Sequence, residues 1–285
     1  MLEQEQSNLS NKKNNKPFGE THFGETHFGF RKVESNKKSG LVQQIFSSVA
    51  SKYDIMNDIM SFGFQRIWKK QMLKNVNLAI YQKWLSSGKI SKSNPLKILD
   101  IAGGTADIAL QLTALLTKNN IPHLITVADL NLEMLEIGKA KAVDLNLFHN
   151  LEFQIENGEN LSFANNSFDL ITIAFGIRNF TDIAKGITEF SRTLKDDGTF
   201  ICLEFSKVND YFLQKIYHQY SFKIIPKLGE IVAQDRNSYQ YLVESIRNFP
   251  TQDAFRLMIL ENGFNNCQFT NYNFGVVALH LANKA

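Results

Sequence analysis

The chain has 285 residues, of which 44% are hydrophobic, and its net charge is +3. This length and hydrophobic content predict one α/β domain with extensions, and the small charge argues against nucleic-acid binding. Its two cysteines, Cys202 and Cys267, lack the spacing of a zinc site or a disulfide framework, which is typical of a cytoplasmic protein. No apolar stretch is long enough to predict a membrane-spanning helix.

The N-terminal segment is polar and ends in a short tandem repeat, "GETHFGETHF". Its composition predicts a disordered tail over residues 1–38. His22 and His27 recur in the repeat, but no further ligand cluster lies beside them, so we predict no metal site. From residue 39 the apolar residues follow a helical spacing, which predicts two or three short helices forming an N-terminal cap over residues 39–94.

Strand-like and helical segments then alternate along the chain. Strands are predicted at residues 96–101, 124–129, 151–154, 168–175 and 199–205, with helices at 105–117, 132–145 and 183–194. This alternation predicts a parallel sheet with helices on both faces, in a core over residues 95–209. A helical insertion (210–250) follows, and then residues 251–285 carry a helix, Gln252–Glu261, and two strands, 266–273 and 276–281, that form an antiparallel hairpin.

The turn in "LDIAGGTADIAL" (residues 99–110) joins the first of these strands to a helix. A turn of this kind places a ligand on backbone N–H groups at the helix N-terminus. No Gly-Lys-Ser/Thr follows, which excludes a phosphate-binding P-loop, and the adjacent glycines do not match the dinucleotide pattern G-x-G-x-x-G. A turn that serves only strand–helix packing remains an alternative.

Two further features favour an adenosyl ligand. Asp129 ends the second strand, where a carboxylate can accept hydrogen bonds from both ribose hydroxyls. The alternative is that Asp129 caps the next helix, although Asn131 could serve as that cap. Asn157 and Gly158 follow the third strand, where an adenine ring could lie.

Several segments of the sequence resemble the UbiE family of ubiquinone/menaquinone biosynthesis C-methyltransferases, which are class I S-adenosylmethionine-dependent methyltransferases. They include "ILDIAGGTADIA", "VADLNLEML", "FDLITIAFGIRNFTD", "SYQYLVESIRNFP" and "YNFGVVALH". The resemblance covers about residues 28–281, and "FGIRN" and "SYQYLVESIRNFP" are its most specific parts. It implies a Rossmann-like fold, with a seven-stranded, mostly parallel sheet, a C-terminal antiparallel hairpin and a helical N-terminal cap.

The resemblance also implies S-adenosylmethionine as the cofactor, with contacts from the loops that follow the first four strands. The implied contact residues are Gly103, Gly104, Thr105, Asp129, Asn157, Gly158 and Ala174. The family often carries an acidic residue and alanine where this chain has Asn157 and Gly158, which alters the hydrogen bonds available to adenine. Ala174 offers only backbone contact.

The chemistry that the resemblance implies is methyl transfer to a ring carbon of a polyprenyl quinol, without a metal. Arg178 directly follows a strand that points at the cofactor, and its cation would favour the phenolate form of the quinol. Asn179 would orient the substrate or a water, and Tyr53 would hydrogen-bond the quinol. The alternatives are a structural Arg178 paired with Asp54 or Asp58, and a Tyr53 that only packs in the cap.

The substrate's polyprenyl tail suggests a further partner. The insertion mixes aromatic residues with Lys215, Lys223 and Lys227, which could form a basic face for peripheral contact with the inner face of the cytoplasmic membrane. An ordinary amphipathic core helix is the alternative. The family resemblance is compatible with a homodimer or with membership of a quinone-biosynthesis complex.

Three rival functions follow from the same residues. One is a methyltransferase of this fold acting on another small lipophilic acceptor, and another is a non-catalytic subunit of a quinone-biosynthesis complex. The third is a dehydrogenase, which predicts NAD binding; the adjacent glycines of the turn disfavour it.

Overall fold

The computed structural model describes residues 24–50, 57–58, 61, 63–80, 90–208, 227, 230 and 235–284. Its centre is a seven-stranded sheet in the order β5-β4-β3-β6-β7-β9-β8. The strands are β3 (Leu96–Ile101), β4 (His123–Asp129), β5 (Leu151–Ile155), β6 (Phe168–Ala174), β7 (Leu194–Phe205), β8 (Phe264–Tyr272) and β9 (Val277–Lys284). Strands β3 to β7 are parallel, whereas β9 runs antiparallel to both of its neighbours. The predicted fold class is confirmed.

Helices cover both faces of this sheet. They are α1 (Ser35–Val49), α2 (Gln65–Ile80), α3 (Asp107–Lys118), α4 (Leu132–Asp144), α5 (Ile183–Thr193), α6 (Arg236–Asn248) and α7 (Gln252–Glu261). Among the described residues, no helix is long and apolar enough to cross a membrane.

The core consists of two buried clusters, one on each face of the sheet. Ile98 and Leu170 belong to one cluster, and their chain neighbours Leu99 and Ile171 belong to the other. This division follows from the strand geometry, because successive side chains point to opposite faces. Both faces of the central strands are therefore apolar, as parallel strands under helices require.

Side-chain caps set where several helices begin. Asn131 accepts a hydrogen bond from Met134 N at the start of α4, and Asp182 does the same from Lys185 N at α5. The helix α3 differs, because its N-cap residue Ala106 offers no side-chain hydrogen bond. The Asp100 carboxylate instead faces an N–H group of the first turn of α3, that of Ala109.

The structure corrects the predicted disordered tail, which was drawn over residues 1–38. The second copy of the repeat forms β1 (Glu25–Phe28), which pairs antiparallel with β2 (Arg31–Glu34), and α1 begins at Ser35. The hairpin is ordered because Phe28 is buried and stacks on Tyr241 of α6, with ring centroids 4.4 Å apart. Residues 1–23 lie outside the described part of the chain.

Two predicted features fall largely on residues that the structure does not describe. Tyr53 and Asp54 lie outside the described residues. So does most of the predicted insertion, including Lys215 and Lys223, whereas α6 forms its final part.

Candidate active site

A crevice opens at the carboxyl ends of β3, β4, β5 and β6, and α1 covers it. From α1 it is lined by Ser39, Val42, Gln43 and Phe46. From β3 the chain passes on one side to β4 and later returns on the other side at β6, so the crevice lies where the strand order reverses. Open α/β sheets bind their ligands at this point. Of the predicted site residues, the crevice is lined by Gly104, Asp129, Asn157, Gly158 and Asn179.

The glycine turn after β3 is held in an unusual backbone conformation. Ala102, Gly104 and Ala106 all have left-handed φ angles, of 49°, 54° and 63°. A β-carbon at Gly103 would lie 2.6 Å from Val127 Cγ1, so the turn packs closely on β4. Within the turn, Gly103 N donates to Ala128 O and Ala106 N donates to Gly103 O, so backbone hydrogen bonds hold its main chain beside the crevice.

Asp129 anchors this turn. Its carboxylate accepts hydrogen bonds from Gly104 N (2.9 Å) and from Asn131 N (2.8 Å), one on each oxygen. Burial raises the pKa of Asp129, and these backbone bonds oppose the rise. The N–H of Leu130 also faces the carboxylate, which lines the crevice and keeps capacity to accept from a ribose hydroxyl. Asn131 caps α4, as the sequence suggested it could, which leaves Asp129 for the crevice.

The loop after β5 is tied to the loop after β6. Asn157 Oδ1 accepts a hydrogen bond from Glu159 N within its own loop, at 2.9 Å. Glu159 in turn accepts from Thr181 N (2.6 Å) and Asp182 N (3.1 Å). A β-carbon at Gly158 would lie 2.4 Å from the Phe180 ring, so only glycine permits this approach.

Lys38 joins α1 to the same loops, and sequence reasoning missed it. Its Nζ donates to Phe180 O at 2.6 Å, and burial lowers the pKa of the lysine to about 8. Burial also raises the pKa of Glu159, whose charge lies close to that of Lys38. The sequence did not indicate this contact, because Lys38 lies in the segment that was predicted to be a disordered tail.

The turn after β6 sends two neighbouring side chains in different directions. Asn179 lines the crevice, and its Oδ1 accepts a hydrogen bond from the Tyr241 hydroxyl at 3.1 Å. Arg178 borders a neighbouring cleft instead and reaches back to β7. Its Nη1 lies 2.8 Å from Glu204 Oε1, and the two side chains are only 2% and 1% exposed. The same nitrogen donates to Phe175 O.

Glu204 corrects the predicted carboxylate partner of Arg178. Asp58, one of the two suggested partners, instead forms an ion pair with Arg66 at 2.7 Å. The sequence did contain an indication of this partner. Glu204 is an acidic residue within the apolar strand "FICLEF", and a buried carboxylate requires a buried cation beside it. The guanidinium also lies 5.5 Å from the centre of the Phe205 ring.

The remaining predicted contacts do not line the crevice. Thr105 is buried, and its hydroxyl accepts a hydrogen bond from Lys141 Nζ at 3.1 Å. Gly103 lies against β4, and Ala174 ends β6 opposite Leu203 of β7. Their roles as cofactor contacts stay predictions.

A buried acid that the sequence analysis did not single out lies beneath the turn. Asp100 Oδ1 accepts a hydrogen bond from Thr172 Oγ1 at 2.7 Å. Burial raises the pKa of Asp100 to about 7. A β-carbon at Gly103 would lie 3.3 Å from Asp100 Oδ2, so the carboxyl group packs against the glycine turn.

Comparison with known proteins shows the family of this chain. The model of the ubiE/COQ5 methyltransferase family matches residues 31–284. The chain belongs to this family. The ubiquinone/menaquinone biosynthesis C-methyltransferase UbiE of Rickettsia bellii is 48% identical over 256 residues, covering 90% of this chain and 97% of the relative. The protein of the same name from Rickettsia felis is 46% identical with the same coverage.

Solved structures share the fold at much lower sequence identity. A SAM-dependent methyltransferase of Thermotoga maritima, described as a possible histamine N-methyltransferase, has a TM-score of 0.55 at 16% identity, covering 85% of this chain and 99% of that one. The DszA carbon methyltransferase has a TM-score of 0.56 at 12% identity, and the match covers 78% of this chain but 55% of DszA. These likenesses show the fold, and the family membership confirms the prediction of a methyltransferase.

Proposed function

We propose that the chain transfers a methyl group from S-adenosylmethionine to a ring carbon of a polyprenylated quinol, in ubiquinone biosynthesis, menaquinone biosynthesis or both. The observation that carries this proposal is the 48% identity to a UbiE methyltransferase over 90% of the chain. The crevice supports it, because the residues that line it suit an adenosyl ligand.

The fit to the cofactor depends on two features of the crevice. Through Gly104, which lines the crevice, the main chain of the glycine turn would hold the methionine part. Asp129 would hold the ribose through its remaining lone pairs, and the loop at Asn157 and Gly158 would face the adenine. When bound, S-adenosylmethionine supplies an electrophilic methyl group on a sulfonium.

The chain's own residues have three tasks in this reaction. They align the ring carbon with the methyl group, exclude water, and let a quinol oxygen donate electrons to the ring. The new bond joins the ring carbon to the methyl carbon, the sulfur–methyl bond breaks, and the ring proton leaves to a base. Because Asn179 lines the crevice, we assign to it the direct contact with the quinol or its water.

Arg178 acts differently in this proposal. Its guanidinium is engaged by Glu204 and by Phe175 O, so it fixes the turn that carries Asn179. Arg178 is then a positioning residue, because Glu204 offsets its charge and its side chain does not line the crevice. The role of Tyr53 stays a prediction.

The test is methyl transfer from labelled S-adenosylmethionine to demethylated benzoquinols and naphthoquinols, kept reduced and assayed side by side. We expect label in the ring of one or both. Binding of S-adenosylmethionine by calorimetry without methylation of either quinol would point to another acceptor. Absence of both binding and turnover would point to a non-catalytic subunit.

A further inference from the structure

Three exposed apolar side chains lie together outside the crevice. Phe64 and Ile67, at the start of α2, are 41% and 52% exposed, and Phe274, in the turn between β8 and β9, is 71% exposed. All three lie near Trp68, which follows Ile67 in the chain. The Trp68 ring lies 6.1 Å from that of Phe64, and its Nε1 donates to Oδ1 of Asn273, the residue before Phe274, at 2.8 Å. We call Phe64, Ile67 and Phe274 the apolar patch.

The conformation of Phe274 makes this patch costly for the folded chain. Its φ of 58° and ψ of 28° are left-handed, a region that bulky side chains rarely occupy. Strain of this kind is usually held in place for a function, and here the strained ring is directed into water rather than into the core. Single exposed apolar residues are ordinary, but a cluster that includes a strained aromatic residue marks an interaction surface.

Basic side chains continue the patch along α2. Lys70 and Lys74 are exposed, and they lie three and seven residues after Ile67, so the three share one helix face. Aromatic and aliphatic tips flanked by lysines suit the surface of an anionic bilayer, where the rings enter the headgroup region and the lysines meet lipid phosphates.

The patch is also connected to the crevice. The turn that carries Phe274 precedes β9, whose Val277 pairs with Phe205 at the carboxyl end of β7. The Trp68 ring lies 6.3 Å from that of Phe175, which lines the crevice. One layer of aromatic rings therefore separates the patch from the crevice. A lipid quinol in a bilayer at the patch would therefore lie one aromatic layer from the crevice.

We propose that the apolar patch, with Lys70 and Lys74, docks the protein on an anionic lipid bilayer and so brings the quinol of the bilayer close to the crevice. This proposal rests on the proposed function, since a polyprenylated substrate resides in the bilayer. It places the membrane contact on α2 and the β8–β9 turn.

The test uses a triple variant of the full chain, Phe64→Gln, Ile67→Gln and Phe274→Asn, in which asparagine tolerates the left-handed backbone. The matched control is Val143→Gln, Leu145→Gln and Phe148→Gln, because these side chains are also exposed (62%, 59% and 46%). They precede β5 and so lie at the opposite, amino-terminal edge of the sheet. Vesicles of phosphatidylcholine are prepared with and without phosphatidylglycerol.

We expect the wild-type chain and the control to sediment with the anionic vesicles, and the triple variant to lose about tenfold or more in partitioning. Lys70→Gln with Lys74→Gln should weaken binding to anionic vesicles and reduce its salt dependence. The triple variant should also methylate a long-chain quinol in vesicles more slowly, while its turnover of a single-prenyl quinol in solution stays unchanged.

Equal vesicle binding by the triple variant and the wild type would overturn the proposal, as would an equal loss in the control. Loss of self-association with unchanged vesicle binding would also overturn it and assign the patch to a second copy of the chain. If the wild type methylates neither quinol, the proposed function fails, whereas the vesicle measurement still tests the patch.

Discussion

The turns after β3 and β6 leave adjacent parallel strands and meet at the same crevice, yet they are built differently. The turn after β3 consists of small residues, and its anchor, Asp129, holds it through a backbone N–H. The turn after β6 carries large side chains, and side chains from distant segments hold it. Arg178 is fixed by Glu204 and Asn179 by Tyr241.

Under the proposed function, this difference separates cofactor binding from chemistry. A turn that presents main chain depends little on side-chain identity, so it suits a cofactor shared by many enzymes. The turn with Arg178 and Asn179 depends on side chains in β7 and α6, so substitutions far along the chain can change its geometry. Substitutions that break either turn should therefore have separable effects.

The largest effect is expected from the ion pair beneath the second turn. Glu204→Ala leaves a buried guanidinium without its carboxylate, and we expect a loss of about 3–5 kcal/mol in the free energy of unfolding, measured in urea. The double variant Glu204→Ala with Arg178→Met removes both charges and should recover part of this loss. A single variant within about 1 kcal/mol of the wild type would contradict a tight pair.

Arg178→Ala tests how the same ion pair affects turnover. We expect turnover to fall more than cofactor affinity, because Asn179 loses its support while the first turn is unchanged. Kinetics and calorimetry on the same preparation separate the two effects. Turnover that survives while the melting temperature falls would leave Arg178 with a purely structural role.

Breaking the first turn should give the opposite pattern. Asp129→Ala removes a charged acceptor, and we expect cofactor affinity to fall by about 1.5–3 kcal/mol, measured by calorimetry. Thr251→Ala is the control, since it removes the cap of α7, which does not line the crevice, and should cost about 1 kcal/mol of stability with little loss of affinity. Unchanged affinity in Asp129→Ala would mean that the carboxylate serves only the turn.

The sequence predicted local elements better than the partners of the site. Helix α7 has its predicted bounds because Thr251 caps its start and Gly263 follows its end with a φ of 98°. Glu204 was missed because its pairing with Arg178 depends on the alignment of β6 and β7, which local patterns do not specify. The β1–β2 hairpin was missed for the same reason, since the contact between Phe28 and Tyr241 stabilises it across the chain.

A smaller effect is expected from the hydrogen bond that orients Asn179. Tyr241→Phe keeps the ring stacked on Phe28 but removes the hydroxyl that donates to Asn179 Oδ1. We expect about a tenfold lower kcat, corresponding to about 1.4 kcal/mol, with little change in cofactor affinity. Steady-state kinetics check this. A lower melting temperature with unchanged kcat would show that Tyr241 only packs.

The smallest effect concerns backbone strain in the first turn. Ala106 is held at φ 63°, where a β-carbon costs about 1–2 kcal/mol. Ala106→Gly relieves this strain but loses a buried methyl group that contributes about 0.8 kcal/mol. We expect a net gain of about 0.5 kcal/mol, a rise of about 1–2 °C in melting temperature by calorimetry.

The control for this substitution is Ala109→Gly, which removes an equally buried methyl group from the right-handed interior of α3. It should be destabilising, because glycine in a helix costs about 1 kcal/mol and no strain is relieved. The opposite signs of the two changes would locate the strain at the turn itself. Equal losses in both variants would mean that the turn stores no strain at Ala106, and that its shape follows only from close packing on β4 and the anchor at Asp129.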